Sequence, residues 1–555
     1  MGNVRILEEV GFGKEENITN VVFEEESVND IGQVLVPITV QETTLVIGDN
    51  VQTTVPNIIP EQDYDKALPQ TPIKQPQQVP LRRSIRERRH AILDDYIVFF
   101  QEHEDGIGLT EDDPINFCQA MQSSNSQKWI DAMKDELKSM QDNDVWDLVK
   151  LPEGHIERYE ACLVAKGFTQ KEDIDYKETF SPVSSKDSFR IVMVLVAHFD
   201  LELHQMDVKT VFLNGDIDEM IYMMQPENFV LNESMSPVCK LKKFIYGLKQ
   251  ASRQWYHKFH QVITSYGFEE NLVDDCVYHK FSGSKYIFLV LYIDDILLAS
   301  SDTGLLHETK IFLMKNFEMK DLREASFVLG IQILRNNSQG ILRLSQENYI
   351  SKVLERFSMK DSKPRDTLIA KGDKFSLKQF PNNDLERNKM QKIPYASIVG
   401  SLMYAQVCTR LNSAFVVGVL GSYLSDPGVQ HWKAIKRVMR YLRRTKGHTF
   451  TYRNSEDLEI IEYSNSDFAG CQDSKHSTFG YIYMLARGAI SWKSVKQNLI
   501  VPSTMAADFV AYFEASNQGI WLRNFVTSLR VVDDIERPLK IYCDNNSAIL
   551  YSNKK

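Results

Sequence analysis

Residues 288–299 read Phe-Leu-Val-Leu-Tyr-Ile-Asp-Asp-Ile-Leu-Leu-Ala, and two adjacent acids, Asp294 and Asp295, interrupt this apolar stretch. Its length and composition are typical of a buried strand pair or hairpin. Burying unpaired charge in a low-dielectric interior is costly, so the two acids require either exposure at a hairpin turn or a compensating divalent cation. From these residues alone, an ordinary Asp-Asp turn explains the pattern as well as a metal site does.

A second acid, Asp207, has a similar setting. Residues 201–212 read Leu-Glu-Leu-His-Gln-Met-Asp-Val-Lys-Thr-Val-Phe, which alternates like a strand and puts Asp207 beside apolar neighbours. If the two strands are neighbours in one sheet, Asp207, Asp294 and Asp295 can hold two Mg²⁺ ions ~3.5–4 Å apart. That arrangement clamps the attacking and leaving oxygens in phosphoryl transfer. Mg²⁺ takes few protein carboxylates and shares its shell with substrate phosphates.

The composition is that of a globular chain with several domains. It has 555 residues, of which 43% are hydrophobic and 25% charged, and this excludes a wholly disordered, collagenous or coiled-coil protein. Residues 1–80 hold 13 of the 75 acidic residues but only 4 of the 64 basic ones. The net charge of −11 therefore belongs mostly to this segment, and it does not exclude nucleic acid as a partner of the rest.

Cysteine usage and hydropathy exclude further classes. The seven cysteines are scattered without a CxxC pair, which argues against a disulfide framework or structural zinc and fits a reducing compartment. No apolar run approaches the ~18–20 residues of a membrane span. Residues 1–10 lack the apolar core of a secretory signal, so we expect no membrane partner.

The chain divides into an N-terminal linker and an α+β region. Residues 1–105 are predicted to be a disordered acidic, proline-rich linker with a basic knot at 82–89. The knot suits nucleic-acid binding or a nuclear address, and equally a solvated charge run in a flexible arm. Apolar periodicity predicts helices at 125–140, 345–357 and 429–442, the last with basic residues opposite its apolar face, and strands at 460–463 and 480–484.

Many ordered motifs carry a family resemblance. They include Gln205-Met-Asp207-Val-Lys-Thr, Phe212-Leu-Asn-Gly215, Ile245-Tyr-Gly-Leu-Lys-Gln-Ala251, Tyr292-Ile-Asp-Asp295 and Tyr542-Cys-Asp544-Asn545. From about residue 80 to its end the chain resembles the reverse transcriptase and RNase H region of a plant-like, copia-type (Pseudoviridae-like) retrotransposon Pol polyprotein. The resemblance implies right-hand polymerase fingers and palm over 106–340, a thumb/connection over 341–455 and an RNase H-like α/β domain over 456–555.

The resemblance also implies the site residues. Asp207, Asp294 and Asp295 match the catalytic and metal-binding triad, with two Mg²⁺ ions, or Mn²⁺, as cofactor. Phe212 matches the bulky residue that crowds the sugar 2′ position, although it can equally be a core residue. The other matches are Val211, Tyr246, Gly247 and Lys166 for the nucleotide, and Leu329, Gly330, Lys249 and Arg253 for the primer–template. The implied partners are an RNA template, a DNA or tRNA primer and deoxynucleotides. The family works in cytoplasmic particles, while the basic knot suggests the nucleus; oligomeric state stays open.

The chain departs from the family in both enzymatic regions. A fingers hairpin is missing near 154–157, and Glu160 and Cys162 replace usual cations, which should weaken triphosphate binding. In the RNase H-like region Asn465 replaces the first acid, Asp508 stands for a glutamate, Asp544 is present, and the fourth acid would lie beyond Lys555. We therefore predict a C-terminally truncated domain without RNA cleavage. The hypotheses are an impaired reverse transcriptase and a catalytically dead nucleic-acid-binding remnant.

Overall fold

A computed structural model describes residues 179–215, 217, 221–224, 238–369, 375–455, 458–532, 539–543, 545 and 547–548, with Gln127 and the backbone of three short N-terminal strands. For 222–224 and 238–240 only the backbone is described. Several predicted features lie outside these residues: most of the 1–105 linker with the knot at 82–89, the helix at 125–140, the missing hairpin near 154–157, Lys166 and Asp544. None of the helices in the described ranges is long and apolar enough to cross a membrane.

Helices and strands alternate along the described chain. The helices are α1 (Lys186–Phe199), α2 (Ala251–Ser265), α3 (Thr303–Asn316), α4 (Glu347–Arg356), α5 (Asp384–Gln391), α6 (Tyr395–Thr409), α7 (Ala414–Gly421), α8 (Val429–Thr445) and α9 (Thr504–Ser528). The strands are β1 (Ile6–Leu7), β2 (Val22–Phe23), β3 (Ile38–Val40), β4 (Glu202–Val208), β5 (Tyr222–Met224), β6 (Val238–Lys240), β7 (Glu269–Glu270), β8 (Val277–Ser282), β9 (Lys285–Tyr292), β10 (Asp295–Ser300), β11 (Met319–Glu324), β12 (Phe327–Val328), β13 (Ile331–Asn336), β14 (Ile341–Ser345), β15 (Thr449–Arg453), β16 (Ile460–Asp467), β17 (Thr478–Leu485), β18 (Gly488–Lys496) and β19 (Leu539–Tyr542). The predicted mixture of helix and sheet is confirmed.

A six-stranded antiparallel sheet organises the first half, in the order β11-β4-β10-β9-β8-β7. Side chains alternate between its faces, so each central strand contributes to two cores. Ile296 and Leu298 of β10 join α2 and α3 on one face, whereas Leu297 and Ala299 join α1 on the other. Both faces are thus covered, which explains why β9 and β10 read as continuous apolar runs.

The second half builds two further sheets around the same α1 helix. A four-stranded sheet has the order β12-β13-β14-β15, and a five-stranded sheet has the order β18-β17-β16-β19-β3. In the latter, β16, β17 and β18 are antiparallel, β19 runs parallel to β16, and α9 packs over β16 and β17. The edge strand β3 comes from the segment predicted as linker, and there the backbone is extended and paired.

The sequence pattern overestimates one strand. Residues 201–212 alternate like a strand, but β4 ends at Val208 and a 3₁₀ turn follows at Val211–Asn214. The cause is Thr210, whose φ of 52° is left-handed and cannot continue an extended strand. By contrast, the predicted hairpin at 288–299 and the helices at 345–357 and 429–442 are confirmed by β9–β10, α4 and α8.

Candidate active site

The register of β4 and β10 places Asp207 directly opposite Asp295. Residues opposite one another in an antiparallel pair have Cβ atoms ~4.5–5.5 Å apart. Asp294 belongs to the turn between β9 and β10, and its carbonyl accepts a hydrogen bond of 2.9 Å from the Val208 backbone N–H. Asp294 is exposed, and Asp207 and Asp295 are half-buried. The backbone thus brings the three acids together at one end of the sheet.

Two neighbouring side chains contact this turn. Trp255 of α2 donates its indole N–H to the Ile293 carbonyl at 2.7 Å, and Gln205 of β4 donates its amide to Asp295 Oδ1 at 2.7 Å. Sequence reasoning connected neither residue with the acids. Gln205 had a detectable signal, because a residue two positions before Asp207 shares its face of the strand. Nothing in the sequence indicates that Trp255 reaches residue 293.

The carboxylates of Asp207, Asp294 and Asp295 are suitable ligands for a divalent cation, but their side chains do not form a cluster of three ligands. Carboxylate oxygens are the ligands that Mg²⁺ prefers, and like charges on opposite strand residues repel unless they are compensated. Among the described residues, however, no three or more His, Cys, Asp or Glu side chains converge closely enough to hold a metal ion. Asp207 and Asp295 therefore fit a metal site by their chemistry and by the strand register, because Mg²⁺ needs only one or two carboxylates beside water and phosphate oxygens.

Phe212 and Tyr246 form an aromatic pair beside this end of the sheet. Their ring centroids are 4.9 Å apart at an interplanar angle of 72°, an edge-to-face contact. Phe212 is only 5% exposed and Val211 1%, so both are core residues, while Tyr246 is half-buried. Gly247 is exposed with a φ of 88°, a conformation that favours glycine.

The four residues predicted for the primer–template lie in two places. Lys249 precedes α2, and Arg253 within that helix donates to the Phe180 carbonyl at 2.8 Å. Leu329 and Gly330 form a tight turn between β12 and β13 with φ values of 53° and 66°, the conformation of a two-residue hairpin loop. The Leu329 carbonyl accepts a hydrogen bond of 2.5 Å from the Tyr404 hydroxyl of α6, which fixes this turn.

A second carboxylate site lies at the start of α9. Asp508 is 6% exposed and accepts hydrogen bonds from Ser466 at 2.5 Å and Asn545 at 2.7 Å. Asn465 precedes Ser466 in β16, and strand alternation puts the two on opposite faces of the sheet. Asp508 is thus held by neutral donors, and the described residues show no second acid in hydrogen-bonding contact with it.

Sequence reasoning also missed Glu462, which is fully buried in β16. Burial raises the pKa of Glu462 to about 8, and its Oε2 lies 2.5 Å from the Tyr483 hydroxyl oxygen. No clear signal was present in the sequence, because Ile460 and Ile461 put an apolar residue on each face of the strand.

Comparisons with known proteins define the class. A family model described as reverse transcriptase (RNA-dependent DNA polymerase) matches residues 134–371, which include the six-stranded sheet and its three acids. The chain is 40% identical over 495 residues to the retrovirus-related Pol polyprotein from transposon TNT 1-94 of Nicotiana tabacum, covering 85% of this chain and 36% of that protein. It is 34% identical over 448 residues to the corresponding protein from transposon RE1 of Arabidopsis thaliana, covering 77% and 30%. It is also 30% identical to a putative Ty5-1 transposon protein of Saccharomyces cerevisiae, covering 54% of this chain and 94% of that protein.

These matches, with the carboxylate-bearing sheet inside the matched region, define a reverse transcriptase domain. The chain belongs to the family of copia-type retrotransposon Pol polyproteins, so the resemblance seen in its motifs is confirmed. It spans about a third of the length of the first two relatives. A foamy viral protease–reverse transcriptase solved in complex with double-stranded DNA is 11% identical, covering 61% of this chain and 50% of that one, with a TM-score of 0.17. That score is too low for the likeness to bear on the fold.

Proposed function

We propose that this chain performs RNA-directed DNA synthesis by two-metal nucleotidyl transfer at Asp207, Asp294 and Asp295. The observation that carries the proposal is the strand register, which sets Asp207 opposite Asp295. The Asp294 carbonyl also accepts a hydrogen bond from Val208, the residue that follows Asp207 in the same strand. When bound, two Mg²⁺ ions would activate the primer 3′-hydroxyl and stabilise the charge that develops on the α-phosphate of the incoming deoxynucleotide. The three carboxylates would hold those ions and fix them relative to the sheet.

The nucleotide side of the proposed site is the Phe212–Tyr246 pair. The edge-to-face contact between the two rings fixes them relative to each other, and Gly247 leaves the adjoining backbone without a side chain. In this proposal the Phe212 ring limits space at the sugar 2′ position, and Lys166 contacts the triphosphate. The loss of cations at Glu160 and Cys162 weakens that contact, so we expect a reduced affinity for nucleotides.

The template and primer would contact cationic side chains as well as the Leu329–Gly330 turn. The strongest concentration of positive charge on a described helix is on α8, which has no acidic residue at all. Its core face carries Ala434, Ile435, Val438, Met439 and Leu442. Its remaining face carries Lys433, Lys436, Arg437, Arg440, Arg443 and Arg444. A helix of this kind suits the sequence-independent binding of phosphates.

The domain assignment follows from the same proposal. The six-stranded sheet would be the palm, residues 341–455 the thumb/connection, and residues 456–555 an RNase H-like domain. Three antiparallel strands, a helix and a parallel fourth strand support the last assignment. We propose that this domain does not cleave RNA, because Asn465 cannot supply the charge of the first acid and Asp508 is bonded to Ser466 and Asn545. Release of RNA fragments from an RNA–DNA hybrid by the purified chain, at a level above that of Asp508→Asn, would contradict this.

Primer extension on poly(rA)·oligo(dT) with Mg²⁺ or Mn²⁺ tests the polymerase proposal. We expect incorporation of dTTP by the unsubstituted chain and none by Asp294→Asn, which keeps the shape of the side chain but removes its charge. Incorporation no greater than in Asp294→Asn would overturn the proposal. Salt-dependent binding of the primer–template without extension would favour the alternative, a nucleic-acid-binding remnant without catalysis.

A further inference from the structure

The turn that carries Asp294 has an unfavourable backbone conformation. Ile293, immediately before Asp294, has a φ of 49°. A β-branched residue in the left-handed region is a genuine outlier, because its branched side chain crowds the backbone there. Such a conformation persists only where surrounding contacts over-determine it. The contacts that hold this turn are therefore those that place Asp294.

Trp255 supplies the first contact from outside the sheet. Its indole N–H, which can only donate, lies 2.7 Å from the Ile293 carbonyl oxygen. Trp255 is 1% exposed, and its ring packs against Phe259 and Phe317 with centroid distances of 5.5 and 5.2 Å. Because these rings confine the indole, its N–H has a fixed direction. The next carbonyl, that of Asp294, is held from the other side by the Val208 N–H.

Gln205 makes a second contact, with the side chain of Asp295. It is 5% exposed, and its amide nitrogen lies 2.7 Å from Asp295 Oδ1. Gln205 precedes Asp207 by two residues in β4, so both side chains lie on the face of the sheet toward which Asp295 points. The bond fixes one oxygen of Asp295.

We propose that Trp255 and Gln205 are positioning residues for the carboxylates. Trp255 fixes the backbone of the turn that bears Asp294, and Gln205 fixes the carboxylate plane of Asp295. The inference rests on the proposed function, since it assigns these residues to the same metal site. Neither residue touches the reacting atoms, and both act through the acids that they hold.

Trp255→Phe and Gln205→Met test the proposal, because each keeps most of the apolar volume and removes the donor. Trp492→Phe and Gln497→Met are matched controls: Trp492 is 8% exposed and donates to the Gln406 carbonyl at 3.2 Å, and Gln497 is 2% exposed and donates to the Ala507 carbonyl at 2.7 Å. Both control bonds join residues of the C-terminal half of the chain and neither involves residues 293–295; Trp492→Phe also keeps an aromatic ring against Arg190.

Mn²⁺ binding, followed by the electron paramagnetic resonance signal of free Mn²⁺, is the first measurement. The reference is Asp207→Asn, which identifies binding at this site. We expect the affinity of the Asp207-dependent site to fall about 10-fold in Trp255→Phe and in Gln205→Met, in line with the ~10–100-fold effect of outer-shell partners. The affinity in the two controls should be unchanged. Equal affinity in the substituted and control variants would overturn the proposal.

Primer-extension kinetics give the second measurement. A misplaced carboxylate lowers kcat, with a loss of up to ~100-fold for a displacement of ~1 Å, and leaves the KM for dTTP and the primer–template Kd unchanged. A variant that merely unfolds would change kcat, KM and Kd together, and its melting curve would change as well. Asp207-dependent Mn²⁺ binding without any extension would overturn the proposed activity alone. Absence of Asp207-dependent binding would overturn both the metal assignment and this inference.

Discussion

At the scale of single residues, Phe212 is a core residue to which we also assign the proposed barrier at the sugar 2′ position. The sequence supported both a core residue and a barrier at the sugar 2′ position, and the structure places the ring in the core, 5% exposed, in edge contact with Tyr246. Because its neighbours hold the Phe212 ring in place, the ring is also a rigid surface. The packing therefore supports the proposed barrier, because a mobile side chain could not exclude a hydroxyl group.

Phe212→Ala is expected to have two consequences. The free energy of unfolding should fall by ~3–5 kcal/mol because a buried phenyl ring leaves a cavity. Incorporation of ribonucleotides relative to deoxynucleotides should rise because the bulk beside the 2′ position is lost. Urea unfolding measures the first effect, and competition between UTP and dTTP in primer extension measures the second. Phe212→Leu is the control for stability, since it keeps most of the apolar volume; if it also left sugar discrimination unchanged, the barrier would not depend on the ring.

The Tyr483 hydroxyl lies between Glu462 and the Ala515 carbonyl, and its one proton can go to only one of them. The Tyr483 hydroxyl oxygen is 2.5 Å from Glu462 Oε2 and 2.6 Å from the Ala515 carbonyl oxygen, and a hydroxyl has only one proton to donate. If Tyr483 donates to the Ala515 carbonyl, Glu462 must be protonated to donate to Tyr483. This agrees with the burial that raises the pKa of Glu462 from 4.5 to about 8.

A raised carboxyl pKa makes stability fall as pH rises. The unfolded chain releases the Glu462 proton near pH 4.5 and the folded chain holds it until about pH 8, so the contribution is complete below the first value and lost by the second. The expected slope within that window is about 1.4 kcal/mol per pH unit. Glu462→Gln keeps a neutral donor at this position and should remove the dependence. Urea unfolding at pH 5, 6.5 and 8 measures it, and parallel curves for the two proteins would contradict the assignment.

At the scale of secondary-structure elements, α8 shows how one helix serves a core and a charged surface together. Lys433, Arg437, Arg440 and Arg444 recur at i, i+4, i+7 and i+11, so they form one stripe along the helix. At ~1.5 Å of rise per residue the stripe is ~16 Å long. One strand of a duplex carries a phosphate every ~3.4 Å along its axis, so a duplex bound along the stripe would place ~5 phosphates opposite it.

Replacing Lys433, Arg437 and Arg440 together by Gln should weaken primer–template binding at any sequence. Each lost phosphate contact lowers the slope of log K against log salt by ~0.9, so we expect a decrease of ~2–3. Fluorescence anisotropy between 50 and 200 mM salt measures the slope. The matched control replaces Lys378, Lys389 and Lys392, three exposed lysines outside this stripe, with the same change in net charge. An identical slope for both triple variants would show that α8 makes no specific contribution.

The sequence predicted correctly those helices and strands whose apolar spacing is visible within the element itself. The β9–β10 hairpin, α4 and α8 each bury a face whose spacing is visible within a dozen residues. β4 was predicted four residues too long because nothing local indicates the left-handed φ of Thr210. The contacts of Trp255 with residue 293 and of Arg190 with residue 490 could not be predicted, since each depends on how separate layers pack.

At the scale of the whole molecule, α1 joins the carboxylate sheet to the C-terminal half of the chain. Arg190 of α1 is 2% exposed and donates to the carbonyls of Ile490 and Val407 at 2.7 Å each. Its guanidinium carbon lies 3.9 Å from the ring centroid of Trp492, and its other nitrogen pairs with Asp187. Asn271, beside the six-stranded sheet, adds a bond of 3.1 Å to the Phe525 carbonyl of α9. The two halves therefore share buried polar contacts as well as apolar ones.

Arg190→Met should destabilise both halves together. The substitution keeps an apolar stem beside Trp492 but removes the guanidinium donor from the carbonyls of Val407 and Ile490 and from Asp187, which keeps its bond from Gln518. Leaving a buried acceptor unsatisfied costs ~1–3 kcal/mol. Because the contact spans the halves, hydrogen exchange in β10 and in β18 should accelerate to the same extent. Arg335→Met is the matched control, since Arg335 pairs with the exposed Asp200 at 2.8 Å, and loss of a surface pair costs ~0–1 kcal/mol. If exchange became faster in β18 and stayed unchanged in β10, the C-terminal half would open on its own. The stability of the six-stranded sheet would then not depend on that half.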